Sequence, residues 1–343
     1  MLVLAGDVGG TKTALAMAEV GSRSLRFLRT RRYRSREWPD LESILDDFLA
    51  KETVTPRAAV FGVAGPVRGG RAKVTRLPWS IEEGALAARL RPAHVVAIND
   101  FVAAALGLSR LAPRRISVLL PGRPDPRGPI GLIGAGTGLG QAALVRGAER
   151  PSVLPSEGGH VDFGPRDERE DGLVRFLRRR YGRAARDRIL SGEGIGDLYD
   201  FLAVGRRRAT PPALARALAH GDRAAVISRF ALVGRDPVCR EALSLFASIY
   251  GSEAANVALQ YQATGGIFLA GGIAPKILPV LRQTVFRESF RRKPPMEEFL
   301  ANIPVRVVLD PRLPLLGAAG EAYRIAIETT RRRSKTTFRR RSR

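Results

Sequence analysis

Three stretches of this sequence set glycines and hydroxyl or charged side chains directly after an apolar run. In "LAGDVGGTKTALAMAEV" (Leu4–Val20) the run ends at Gly6 and Asp7, and Gly9, Gly10, Thr11 and Lys12 follow. In "IGLIGAGTGLGQAALVRG" (Ile130–Gly147) the corresponding residues are Gly134, Gly136, Thr137 and Gly138. In "GGIFLAGGIAPKILPVL" (Gly265–Leu281) they are Gly271 and Gly272. Successive backbone N–H groups in a tight turn make a concavity that suits phosphate oxygens. The first stretch is not a P-loop, because Gly6 to Gly10 is one residue short and Thr11 separates Gly10 from Lys12. Nor is it the dinucleotide fingerprint, which opens a helix, since Ala14–Val20 reads as a second strand. One such turn says little. Three that converge, with Thr11 and Thr137 beside them, would hold a polyphosphate, and Asp7 is placed to act as an acid near it.

Two further places could carry proton transfer or hydroxyl recognition. Asp100 ends the apolar run "HVVAIND", at a sheet edge where α/β proteins bind ligands. It can cap the helix that begins at Phe101, or it can act as a general base that orients a hydroxyl for phosphoryl transfer. Glu157 and His160 lie on a Gly-Gly loop in "PSEGGHVDFGP" (Pro155–Pro165). A carboxylate and an imidazole there suit vicinal hydroxyls of a sugar, or they belong to a plain surface loop. Zinc would need more ligands than this loop offers. No G-x-S-x-G motif occurs and Cys239 has no His beside it, which argues against a covalent intermediate.

The elements that must position these residues follow from periodicity. Strands are predicted at Leu2–Asp7, Ala14–Val20, Leu25–Thr30, Ala58–Val63, near Ala72–Thr75 and in "HVVAIND". Helices are predicted over Pro39–Glu52, with Leu41, Ile44, Leu45, Phe48 and Leu49 on one face, from Ser80 onward, and over "FVAAALGL". The alternation is of the α/β kind. Ile130–Gly147 echoes the opening hairpin, so the chain reads as two halves built alike. The segment from Gly265 reads as strand, Gly-Gly, then a helix carrying Ile277, Leu278 and Leu281. A strand, a Pro-rich turn and a last helix close the pattern, where Gly317, Ala318, Ala319 and Gly320 allow close packing.

Composition bounds the rest. A chain of 343 residues with 45% hydrophobic content can build two domains around a cleft. No apolar run reaches the 18 residues of a membrane span, and the start carries no basic n-region of a signal peptide. The single cysteine, Cys239, excludes an internal disulfide and a Cys cluster for zinc. A cytoplasmic location is expected. The net charge of +24 invites a nucleic-acid reading, but only six of the 57 basic residues are lysine, and the arginines are scattered. Only "RRRSKTTFRRRSR" (Arg331–Arg343) concentrates charge; without an acidic residue it reads as a disordered tail capable of non-specific anion binding.

Taken in order, these motifs resemble the bacterial glucokinase family, a hexokinase-like branch of the actin-type ATPase and sugar kinase superfamily. The resemblance runs through "GDVGGTKTALA", "FGVAGPV", "LPWSI", "INDFVAAALGL", "IGAGTGLGQAAL", "LPSEGGHVDF", "RILSGEGIGDLYDFL", "GGIFLAGGIAPKIL" and "LLGAAGEAY". It implies an α/β, two-domain actin-like ATPase (ribonuclease H-like) fold with a central interdomain cleft. Residues 1–110 plus 318–330 would form the smaller domain, 111–317 the larger, and 331–343 the basic tail. The implied reaction moves the ATP γ-phosphate to the 6-hydroxyl of glucose, with Mg²⁺ as cofactor and a homodimer as the usual assembly. Gly6, Asp7, Gly9, Gly10, Thr11 and Lys12 match the first phosphate loop, with Asp7 near Mg²⁺ through water. Gly134, Gly136, Thr137 and Gly138 match the second loop, and Gly271 and Gly272 the adenosine loop. Asn99, Asp100, Glu157 and His160 match glucose ligands, Asp100 as base. The family usually carries a Glu before "LSG"; this chain offers Asp187, one methylene shorter, in "RDRILSGEG".

Two alternatives are weighed beside this reading. A hexokinase of the related repressor–kinase family would use mannose, N-acylated sugars or a polyphosphate donor. Such kinases commonly carry a zinc-binding Cys cluster, which one cysteine cannot build. A sugar-responsive nucleic-acid-binding regulator would fit the charge, but no helix-turn-helix segment precedes the kinase-like core.

Overall fold

The computed structural model describes residues 1–50, 54–90, 94–147, 150–204 and 210–341, the last ten as backbone. Residues 51 and 52 of the expected first helix and 342–343 of the basic segment lie outside the described residues. The chain divides into two compact units, Met1–Pro113 with Arg312–Arg343, and Arg114–Pro311. The divisions expected from sequence were 110/111 and 317/318.

In the first unit, β1 (Leu2–Val8), β2 (Lys12–Val20) and β3 (Leu25–Arg34) form an antiparallel meander, and β4 (Ala58–Val63) runs parallel to β1. Three short strands, β5 (Val67–Arg68), β6 (Arg71–Lys73) and β7 (Ser80–Glu82), make a separate small antiparallel sheet. β8 (His94–Asn99) completes the main sheet in the order β3-β2-β1-β4-β8. Side chains alternate across it, as the pleat requires. Leu4, Val8, Leu15 and Met17 join one core with Ile44, Leu45 and Phe48 of the helix Leu41–Leu49. Val3, Ala5, Ala14, Ala16 and Ala18 join another with Leu315, Ala318, Ala319 and Ala322 of the last helix. The first helix starts where Asp40 Oδ1 accepts from Ser43 N at 2.7 Å.

The predicted helix start at Ser80 is corrected. Ser80–Glu82 pairs with Arg71–Lys73, so Ile81 turns into the core, and the helix is Glu83–Arg89. The strand expected over Ala72–Thr75 lies at Arg71–Lys73. The last helix begins at Leu313, and its backbone continues to Arg341. The basic segment, which composition reads as disordered, is thus helical through Arg341. Adding residues to a formed helix costs little beside nucleating one, and arginine is a good helix former.

The second unit carries β9 (Ile116–Leu120), β10 (Ile130–Ala135), β11 (Leu139–Arg146), β12 (Pro151–Ser156), β13 (Gly266–Ala270) and β14 (Val305–Val308). The order is β12-β11-β10-β13-β14-β9. The run β12-β11-β10-β13 repeats β3-β2-β1-β4, an antiparallel meander followed by a parallel partner. The echo between the two Gly-rich hairpins is therefore an echo of topology. The 24-residue helix Pro237–Gln260 passes through the core of this unit with Cys239, Phe246 and Tyr250 fully buried. Burial pushes the Cys239 thiol up to about 12, so it offers no thiolate at neutral pH. No helix among the described residues is long and apolar enough to cross a membrane.

Candidate active site

The first glycine turn joins β1 to β2, and its oxygens are held by the protein. Gly9 N donates to Lys12 O at 3.1 Å, and Ser35 N donates to Thr11 O at 3.2 Å. The Ser35 hydroxyl donates to Gly9 O at 2.7 Å and lies 3.0 Å from Thr13 Oγ1. These bonds fix the path of the turn, and the side chains of Thr11 and Lys12 lie exposed on it. Gly10 is required by a close approach: a Cβ there would sit 2.6 Å from Thr75 O. Gly6 is different. It is buried in β1, and a Cβ would meet the Phe61 ring at 2.3 Å, so packing accounts for it. Asp7 keeps some exposure, but the protein around it raises its carboxyl to about 6, against the opposing pull of Arg32.

Asn99 and Asp100 sit at the junction of β8 and the helix Asp100–Gly107. The cap is Asn99, not Asp100. Its Oδ1 accepts from Phe101 N at 2.9 Å and Val102 N at 3.2 Å, while Nδ2 donates to Gly65 O at 3.2 Å. An amide nitrogen carries two hydrogens, so one Nδ2 donor is not used by that bond. Asp100 is the first helical residue, and its Oδ1 also accepts from Phe101 N at 2.9 Å. A carboxylate at a helix N-terminus is stabilised in its charged form. Gly62 of β4 lets this corner close, since a Cβ there would lie 3.0 Å from the Ala103 Cβ and 3.4 Å from the Asp100 Cα.

In the second unit the other two glycine turns are packed together. β10 and β13 run parallel with Gly134 opposite Ala270. Gly271, at φ +79°, brings its backbone so near β10 that a Cβ would meet Ala135 O at 2.3 Å. Ile273 N donates to the same Ala135 O at 3.3 Å. Gly136 N donates to Gly138 O at 2.8 Å, and Gly136 O accepts from Gly192 N, at the start of the helix Gly192–Val204. A Cβ at Gly136, Gly138 or Gly272 would meet nothing within 4 Å, and none of the three has a positive φ. Neither packing nor backbone conformation demands glycine at these positions. Their bareness leaves room for something that is not protein, with Thr137 between the first two.

Three of the residues expected to meet sugar hydroxyls, Glu157, His160 and Asp187, lie on this second unit, whereas Asn99 and Asp100 belong to the first. Glu157 precedes, and His160 ends, the short 3₁₀ turn Gly158–His160, with His160 Nε2 3.9 Å from Glu157 Oε2. On its other side, His160 Nδ1 lies 3.6 Å from Asp187 Oδ2. Asp187 is buried, whereas Glu157 and His160 are about half exposed. The structure thus brings all three together.

Beneath them lies a network the sequence reading missed. Glu253, buried on the long helix, accepts from Gln141 Nε2 at 2.7 Å, Arg186 Nη1 at 2.6 Å and Asn256 Nδ2 at 2.8 Å. Gln141 Oε1 would lie 2.1 Å from a Cβ at Gly158, and Arg186 precedes Asp187 in the chain. Burial pushes the Glu253 carboxyl up, and its three donors oppose that. The signal available in sequence was a single Gln and a single Glu inside otherwise small or apolar stretches. Ser35 was missed for another reason: nothing in the short 3₁₀ turn Ser35–Glu37 after β3 marks it as the anchor of Gly9, 26 residues earlier.

Comparison with known proteins extends these observations. The sequence profile of the glucokinase family matches residues 4–324. A glucokinase of Nostoc punctiforme is 40% identical over 339 residues, covering 94% of this chain and 99% of that protein. The crystal structure of a glucokinase from an Antarctic psychrotroph aligns with a TM-score of 0.79 at 29% identity, over 94% of this chain and 99% of the other. A ROK family glucokinase from Streptomyces griseus, solved with glucose and AMPPNP, shares the fold at 24% identity and a TM-score of 0.65, over 94% of this chain and all of that one. The architecture is that of the actin-like ATPase sugar kinases.

Proposed function

The chain belongs to the glucokinase family, and from that premise we propose that it transfers the γ-phosphoryl group of ATP to the 6-hydroxyl of D-glucose, giving glucose 6-phosphate and ADP. The observation that carries the reading is the grouping of Glu157, His160 and buried Asp187, a carboxylate–imidazole–carboxylate row suited to adjacent hydroxyls. Asp187 takes the place of the family's longer Glu. On this reading Asn99 supplies a further donor to the sugar. Asp100 accepts the 6-hydroxyl proton as that oxygen attacks the γ-phosphorus and the bond to ADP breaks. The turns at Gly9–Lys12 and Gly134–Gly138 hold the phosphates through backbone N–H groups, and Gly271–Gly272 receives the adenosine.

Asp7 fits a role beside Mg²⁺. This ion keeps several waters and needs only one or two carboxylates besides phosphate oxygens, so it does not depend on a cluster of three or more ligands, and no such cluster occurs among the described residues. A carboxyl raised to about 6 by desolvation is one that a neighbouring cation would favour in its charged form. Asp7 would hold Mg²⁺ through a bound water, and the ion supplies neutralisation of phosphate charge.

The test is a coupled assay over a panel of sugars and donors, with and without a chelator of divalent cations. Glucose with ATP should give the highest kcat/KM, and chelation should abolish turnover. A higher kcat/KM for mannose, for an N-acylated sugar or with polyphosphate would overturn the assignment.

A further inference from the structure

A cavity of about 510 Å³ in the second unit is lined by Arg166, Leu259, Arg292, Lys293, Pro294 and Met296. Phosphoryl transfer as described above makes no use of it. Its charged walls are all cationic and the others are apolar. Arg166 is matched: its Nε donates to both oxygens of Glu170 at 3.0 Å, and its Nη2 donates to Ser248 Oγ at 2.9 Å. Arg186, close behind, is matched by Glu253. Lys293 is half-buried and donates to Asn256 Oδ1 at 2.7 Å, a neutral acceptor. Among the described residues neither Lys293 nor exposed Arg292 has a carboxylate within 4.0 Å. Four cations, Arg166, Arg186, Arg292 and Lys293, therefore face two carboxylates, Glu170 and Glu253. Burial and then the neighbouring Arg166 and Arg186 push the Lys293 amine down, against the opposing pull of Glu253 and Glu170. A half-buried cation with no carboxylate in direct contact is costly, and an arriving anion lowers that cost.

We propose that this cavity binds a small phosphate-bearing dianion, with Arg292 and Lys293 as its charge partners and Leu259, Pro294 and Met296 against its carbon skeleton. Its occupancy has a route to the sugar residues. Lys293 holds Asn256, and Asn256 holds Glu253. Glu253 in turn holds Gln141, under the Glu157 loop, and Arg186, beside Asp187. An anion that draws Lys293 off Asn256 loosens the first link, and the affinity for glucose changes. This second step rests on the reading of Glu157, His160 and Asp187 as sugar ligands; the anion site does not.

The experiment separates the two. Inorganic phosphate is titrated calorimetrically into the full chain and into Arg292→Ala, Lys293→Met and Thr137→Ala. Binding that weakens tenfold or more in Arg292→Ala and Lys293→Met, but persists in Thr137→Ala, supports the cavity. No binding to the parent, or binding unchanged in both cavity variants, overturns it. Replacing inorganic phosphate with glucose 6-phosphate tells which source is preferred: tighter variant-sensitive binding favours the sugar phosphate, equal or weaker binding the free anion. The glucose KM measured with and without phosphate should shift in the parent and not in Arg292→Ala; a KM that stays constant in the parent overturns the coupling.

Discussion

His160 Nδ1 lies 3.6 Å from Asp187 Oδ2, an exposed ring (53% of its side chain accessible) set against a carboxylate that is 8% accessible. The separation is within ion-pair range but beyond a direct hydrogen bond, so the buried carboxylate acts on the ring through its charge. Here the other nitrogen faces Glu157 at 3.9 Å. If the row receives a sugar, as proposed, its hydroxyls meet two carboxylates with an imidazole between them.

Asp187→Ala should therefore raise the glucose KM about tenfold or more, the result of losing a buried polar partner worth about 1–3 kcal/mol. The kcat should change less. Asp187→Glu, which restores the family's usual side-chain length, should keep KM within about threefold of the parent if a carboxylate is what the position needs. Steady-state kinetics at saturating ATP checks both; a KM unmoved in the alanine variant removes Asp187 from the sugar site.

Cap and base can be told apart at Asn99 and Asp100. Asp100→Asn should lower kcat by roughly 10²–10⁴ while stability stays within about 0.5 kcal/mol, because Asn99 still caps the helix. Asn99→Ala should lose about 1 kcal/mol of stability and also weaken glucose binding. Chemical denaturation paired with kinetics reads both. Turnover near the parent's in Asp100→Asn would rule out the base assignment.

Asp7 predicts a slope of stability with pH. The carboxyl titrates near 3.8 when unfolded and near 6 when folded. Between those values the folded chain holds the proton more tightly than the unfolded chain, so raising the pH favours unfolding. Stability from this group is greatest below 3.8, declines toward 6 and is level above it. The difference between the parent and Asp7→Asn, measured by denaturant titration of the ligand-free chain at several pH values, should show that decline. Parallel curves for the two proteins would contradict it.

The glycines divide into two sorts that substitution can separate. Gly271→Ala should destabilise the fold by more than about 1 kcal/mol, since a positive φ and the Ala135 oxygen both oppose a side chain. Gly136→Ala and Gly138→Ala meet no protein atoms and should melt close to the parent temperature. Their loss should appear in the KM for ATP, as an increase of about tenfold when a methyl occupies space needed by phosphate. Thermal melts combined with ATP titrations distinguish the two sorts.

Much of this site could be read from residue order. Strand β4 appeared at its observed bounds because a continuous apolar run between turn residues has few other uses. Both Gly-rich hairpins were legible because a strand, a glycine turn and another strand differ from a helix-opening loop. What escaped was tertiary. Ser80–Glu82 is a strand only because Arg71–Lys73 lies beside it. Asn99 rather than Asp100 caps its helix, a one-residue distinction that pattern alone does not resolve. Ser35, Gln141 and Glu253 gain their roles from partners far away in sequence, and no local spacing announces them.

The Asp100 helix rests on residues translated long after it. A Cβ on Gly317 would lie 1.7 Å from Ala103 O, and one on Gly107 would lie 2.3 Å from Leu313 O, so the two helices touch backbone to backbone. Leu315, Ala318, Ala319 and Ala322 also close one face of the main sheet. On a ribosome, that face stays uncovered while some two hundred intervening residues emerge and fold. Ordering such distant contacts is slow, and exposed apolar surface in the interval invites aggregation. The small alanines that line this face keep that surface modest, so the half-made unit waits with less sticky area than leucines would leave.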